Sequence, residues 1–166
     1  ELGIPCLSSM GEPLRFARYP LVYLVEAADD ICYEIMDIED AHKLKIISHD
    51  DTMQLLLNFF DAESQQHILQ RIEEEGVTDN NEKVVYLRAC VIGKLENECA
   101  RVFIDNEESI LSGTFQGSLI DHICDLQKEA YQRCSSLSMK RIYKSRPVLD
   151  VELSGYQIIQ TLMQQF

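Results

Sequence analysis

The sequence predicts an all-α protein, a multi-helix bundle, and three observations predict it. Only 7 glycines and 4 prolines interrupt the 166 residues. No stretch alternates apolar and polar residues for long enough to make a strand. Apolar residues recur instead at steps of three and four, the period of a helix with one buried face. A chain of this length builds one compact core and is short for two. Residues 1–166 are therefore read as a single helical unit: an irregular lead-in over 1–19, a helix over 20–44 and a helical region over 45–166.

Each element has its own signal. Pro20 opens the first helix, where a missing N–H costs nothing, and the helix is expected to run to about His42 or Leu44. Leu21, Val25, Ala28, Cys32 and Ile35 follow a 4-3-4-3 spacing and are expected to form its buried stripe. Asp51-Thr52 suits the next helix start, followed by MQLLLNFF. Asp61 is placed to cap a helix through Glu75, which Gly76 ends. TDNNEK is expected to be a polar loop. The longest helix is expected from about Lys83 to Asn106; its first half is apolar on nearly every side, which suits the middle of a bundle. Ser112-Gly113 marks a stop, and Ser118 with Asp121 resembles a capping box for a helix reaching about Ser138. A last helix is expected over Val148–Phe166.

Composition narrows the function classes. Hydrophobic residues make up 46% and charged residues 26%, the profile of a globular domain. No apolar run approaches the roughly 18–20 residues of a membrane span, and no basic n-region precedes an apolar h-region. A cytoplasmic protein with no membrane partner is expected. Cysteines 6, 32, 90, 99, 124 and 134 are scattered, with no CxxC or CxxH pair, so they are expected to be reduced and mostly buried rather than zinc ligands. The formal charge of −13 argues against a nucleic-acid binder, since phosphate backbones need a basic footprint. It leaves room for a nucleotide substrate neutralised locally by a divalent cation and a few basic side chains. The start ELGIPCLSSM lacks an initiator Met, and the chain is expected to come from a longer protein.

The chemistry-bearing segment is EAADDICYEIMDIED, Glu26–Asp40. Asp29, Tyr33 and Asp37 are four residues apart, and steps of four on an α-helix advance only about 40°. The three side chains therefore share one strip. Carboxylates are hard ligands for Mg²⁺ or Mn²⁺ and acceptors for sugar hydroxyls. Spacing alone also allows a solvated acidic face, because Asp30, Glu34, Glu39 and Asp40 lie nearby.

The segment RYPLVYLVEAADDICYEIMDIEDA resembles the signature of the deoxyguanosine triphosphate triphosphohydrolases, the bacterial branch of the HD-domain phosphohydrolases. VVYLRACVIGKLENECARVFIDNEESILSGTFQGSLID and KRIYKSRPVLDVELSGYQIIQTLMQQF resemble later blocks of the same family, in the same order. The resemblance implies an active site whose metal is held by a His, a His-Asp pair and a final Asp. It assigns the final ligand to Asp29, packing against the deoxyribose to Tyr33, and the sugar 3′-hydroxyl to Asp37. It further implies that Tyr143 and Glu152 line the nucleobase pocket. A Mg or Mn cofactor, a dNTP substrate (dGTP foremost) and a homo-oligomer are implied with it.

The sequence departs from that pattern in one respect. No histidine precedes His42, so the first His and the His-Asp pair are missing upstream of Asp29. His49-Asp50 follows the signature instead of preceding it and is read as a capping and loop pair. A hydrolytic metal site needs about three protein ligands and an open position. The expectation is thus the C-terminal part of an HD-domain hydrolase, with no catalytic group of its own and inactive alone, the HD motif lying in the remainder of the same protein. The alternatives are a non-catalytic helical module for nucleotide binding or oligomerisation, and an HD hydrolase of nucleoside monophosphates.

Overall fold

The computed structural model describes residues 6–8, 11, 13–14 and 16–165; the rest of the expected lead-in, and Phe166 at the end of the expected last helix, lie outside them. The described chain is all-α: α1 Pro20–Lys43, α2 His49–Leu57, α3 Ala62–Glu74, α4 Asn80–Asp105, α5 Glu107–Leu111, α6 Asp125–Leu137 and α7 Arg146–Gln165. A 3₁₀ turn, Leu119–His122, precedes α6, and a π turn, Ser138–Ile142, follows it. The extended contact among the described residues is a single antiparallel bridge between Cys6 and Phe16.

Local chemistry explains the boundaries. Pro20 stands in the first turn of α1, as expected. The helix closes where Leu44 N–H returns to the Asp40 carbonyl and Lys45 takes a left-handed φ of 58°. α2 begins at His49 rather than at Asp51, because the Ser48 hydroxyl accepts the Asp51 N–H at 3.1 Å and caps it. His49 and Asp50 therefore lie inside the first helical turn, and Ser48 is the cap. Asp61 caps α3 as expected, accepting the Ser64 N–H at 2.8 Å. α4 starts at Asn80, inside the expected polar loop, because Asp79 accepts from the N–H groups of both Asn81 and Glu82. The Ser118–Asp121 box is real but caps the 3₁₀ turn, and α6 starts later, after Cys124.

The core lies between α1 and α4, with α2, α6 and the 3₁₀ turn closing around them. α4 buries Val84, Leu87, Val91, Leu95, Cys99 and Val102 along one stripe. The stripe expected on α1 is out of phase. Leu21 and Val25 are 53% and 69% exposed, and Ala28 and Cys32 are exposed too. Tyr23, Ala27, Ile31, Ile35 and Ile38 are buried instead, so only Ile35 keeps its expected place. α1 is apolar on two sides, and spacing alone does not say which of them meets α4. Each fully buried Ile or Leu along this seam contributes about 1.5–3 kcal/mol.

Two further contacts fix the frame. Tyr23 meets Phe115 edge to face, ring centres 5.3 Å apart. Gly113 has φ of +75°, and a Cβ there would stand 2.5 Å from that of Ala17, so the close approach needs glycine. All six cysteines are free thiols. Cys99 and Cys134 are buried, and burial pushes their thiols up to about 11 and about 12. Cys6, Cys32 and Cys124 are exposed, which corrects the expectation that most would be buried.

Candidate active-site strip on the first helix

α1 carries Asp29, Tyr33 and Asp37, and its regular turns set them on one strip. The core pattern of α1 orients that strip. With Ile31, Ile35 and Ile38 turned inward, Asp29 and Tyr33 face outward; Tyr33 is 66% exposed, and Asp37 is half-buried. Around them stand exposed apolar residues of the same helix, Leu21, Val25 and Met36. Among the described residues the strip is open on its outer side, at Asp29 and Tyr33. Clefts of about 490 and about 530 Å³ lie elsewhere, one along α6 and the π turn, the other between the α1–α2 turn and the start of α4.

The neighbouring acids behave differently. Asp30 turns toward the body of the protein, where burial, and then Glu26, Asp29 and Asp121, push its carboxyl above the usual range. The Tyr131 hydroxyl donates to the Asp30 carbonyl at 3.1 Å, tying α6 to α1 beside Asp29. At the far end of the helix, Glu39 is held by Arg88 and Lys43, each at 2.5 Å. Burial pushes the Glu39 carboxyl up, but the two cations outweigh it and hold it below its ordinary value.

Asp37 does not stand alone. The Tyr143 hydroxyl, brought round by the π turn, donates to Asp37 Oδ2 at 2.6 Å. This bond to a carboxylate, then burial, holds the phenol well above its ordinary pKa, so Tyr143 stays protonated and a donor. Asp37 and Tyr143, to which the family resemblance gives different parts of a substrate, are thereby joined. Glu152 is not joined to them: it lies exposed on α7, a helix with no buried residue. His49 sits in α2, its ring 5.4 Å from that of His42. Among the described residues no three His, Cys, Asp or Glu side chains come together to hold a metal. Asp29 offers one carboxylate ligand, and among the described residues it belongs to no three-ligand cluster.

Sequence reasoning missed Glu34. It is 8% exposed and accepts from Ser135 Oγ at 2.7 Å and Ser138 Oγ at 2.8 Å. The signal was present, since Glu34 lies three residues after Ile31 and four before Ile38, within the true buried face.

Comparison with known proteins bears on what this strip belongs to. A deoxyguanosinetriphosphate triphosphohydrolase-like protein of Pseudomonas aeruginosa is 30% identical over 167 residues, covering 100% of this chain and 36% of the relative. A protein of the same description from Listeria monocytogenes is 33% identical, over 90% of this chain and 33% of the relative. The deoxyguanosinetriphosphate triphosphohydrolase of Klebsiella pneumoniae is 29% identical, over 89% of this chain and 31% of the relative. The chain is a homologue of the dGTP triphosphohydrolases, matching their C-terminal portion. It spans about a third of the length of these relatives. No protein-family model matches it. The similarity to the Pseudomonas aeruginosa protein spans the whole chain, the α1 strip, Tyr143 and α7 included.

Proposed function

We propose that this chain is the C-terminal part of a metal-dependent deoxynucleoside triphosphate triphosphohydrolase, acting on dGTP. The observation that carries this reading is the homology over the chain's full length to proteins named for that activity. The strip geometry supports it: a carboxylate, a phenol and a second carboxylate on one open face suit a metal, a sugar ring and a sugar hydroxyl. The reaction is dGTP plus water giving deoxyguanosine plus inorganic triphosphate. Water adds to the α-phosphorus, the bond to the 5′-oxygen breaks, and that oxygen takes a proton.

In this reading Asp29 gives one carboxylate to a divalent ion, whose remaining ligands come from the rest of the longer protein. When bound, such an ion polarises phosphoryl oxygens and water. Tyr33 packs its ring on the deoxyribose, where a 2′-hydroxyl would crowd it. Asp37 accepts the 3′-hydroxyl. Because the Tyr143 hydroxyl is engaged by Asp37, its ring face is what remains for a nucleobase, and Glu152 would need a shift of α7 to join it. The proton-transfer groups lie outside this chain, which is inactive by itself.

A second reading, a non-catalytic helical module, is favoured by one observation: the described residues hold no three-ligand metal cluster. Incubating the full-length protein and this chain separately with Mn²⁺ or Mg²⁺ and a panel of dNTPs, NTPs and dNMPs separates the readings. The enzyme reading expects triphosphate from dGTP with the full-length protein and none with the chain. A protein that releases triphosphate from no nucleotide is not this enzyme, and one that cleaves only monophosphates is a different phosphohydrolase.

A further inference from the structure

Two carboxylates on neighbouring turns of α1 hold opposite ends of one irregular segment. Glu34 accepts from Ser135 and Ser138 at the end of α6. Asp37, three residues on, accepts from Tyr143. Between these anchors runs the π turn Ser138–Ile142. Ser138 is the joint: its fully buried hydroxyl is held by Glu34, and its carbonyl accepts the Tyr143 N–H at 3.0 Å. A π turn is a rare departure from α-helical register, and such turns occur frequently at functional sites.

Glu34 is also an odd choice for its position. It lies among Ile31, Ile35 and Ile38 on the face packed in the core. A buried carboxylate costs desolvation that its hydrogen bonds recover only in part, and an apolar side chain of similar size commonly serves stability as well or better. What an apolar residue does not supply is a fixed point for two hydroxyls, and hence for the start of the π turn.

We propose that Glu34 is a positioning residue: through Ser138 it fixes the π turn that sets the Tyr143 phenol on Asp37. Its consequence for catalysis rests on the sugar-binding role proposed for Asp37; its consequence for Tyr143 does not. Loss of Glu34 frees Tyr143 from Asp37 while the hydrophobic core closes over the site.

The test uses the full-length protein with ¹³C-labelled tyrosine, the Tyr143 ring signal being assigned by its loss in Y143F. Glu34→Met is expected to fold with unchanged or higher melting temperature and to shift the Tyr143 signal toward that of an unbonded phenol. Glu34→Gln, which keeps an acceptor, leaves the signal in place. For dGTP, E34M raises KM about tenfold, the equivalent of one lost hydrogen bond, with kcat within about twofold. The double variant E34M/Y143F is no worse than Y143F. If E34M does not fold, Ser138→Ala, which removes the joint, is expected to give the same shift. An unmoved Tyr143 signal in folded E34M or S138A overturns the proposal, as do effects of E34M and Y143F that multiply. If no nucleotide is hydrolysed, the functional reading falls while the Tyr143 signal still decides the role of Glu34.

Discussion

At the scale of single residues, the carboxylates of α1 differ in whether they have partners. Asp37 is engaged by Tyr143, and Asp29 is open. Replacing Asp37 by Ala in the full-length protein removes a charged acceptor, worth about 1.5–3 kcal/mol. It is expected to lower kcat/KM for dGTP by roughly 10–100-fold, with the loss falling in steady-state assays mainly on substrate binding; kinetics equal to the wild type's would remove Asp37 from the sugar site. Glu39 gives a prediction of a different kind. Its folded-state pKa lies below the ordinary 4.5, so its contribution to stability is present above about pH 4.5 and is lost as pH falls through the folded value. Thermal melts from pH 7 to pH 3 are expected to fall less steeply for Glu39→Gln than for the wild type, and parallel curves would show that the Arg88 and Lys43 pairs add nothing. The strip Asp29–Tyr33–Asp37 was legible in the sequence because helix geometry fixes i, i+4 neighbours. The partners of Glu34 and Asp37 were not, because Ser135, Ser138 and Tyr143 stand 101 to 106 positions away and no local rule links them.

At the scale of elements, helix positions were legible wherever a cap or a proline marks them. Pro20, Asp61 and Gly76 each did so. The starts of α2 and α4 lie two or three residues before those expected because the Ser48 and Asp79 side chains accept first-turn N–H groups there. The phase of α1 was not legible, since Leu21, Val25 and Ala28 are as apolar as Tyr23, Ala27 and Ile31, and only the packing of α4 decides between them. This has a direct energetic test. Ile35→Ala, which opens space in the α1–α4 seam, is expected to cost about 2–4 kcal/mol in denaturant unfolding. Val25→Ala, on the face that stays 69% exposed, is expected to change stability in this chain by no more than about 0.5 kcal/mol. Equal losses at the two positions would contradict the packing described.

At the scale of the whole molecule, the chain is a third of its relatives' length and leaves two apolar surfaces open. One is the outer side of α1; the other is α7, where Val151, Tyr156, Ile159 and Met163 are all more than 60% exposed. In the proposed full-length enzyme the α1 surface is the half of the site that faces the missing ligands. Cys32, exposed beside Tyr33, reports on it. A thiol reagent is expected to label Cys32 rapidly in this chain and several-fold more slowly in the full-length protein, with equal rates counting against a covered site. The central claim, that Asp29 on this strip serves a dNTP triphosphohydrolase, is tested most directly by measuring inorganic triphosphate released from dGTP by the full-length protein with Mn²⁺ or Mg²⁺, beside its Asp29→Ala variant. Release by the wild type and none by a folded D29A is expected; equal release by both, or by neither, would overturn that role for Asp29.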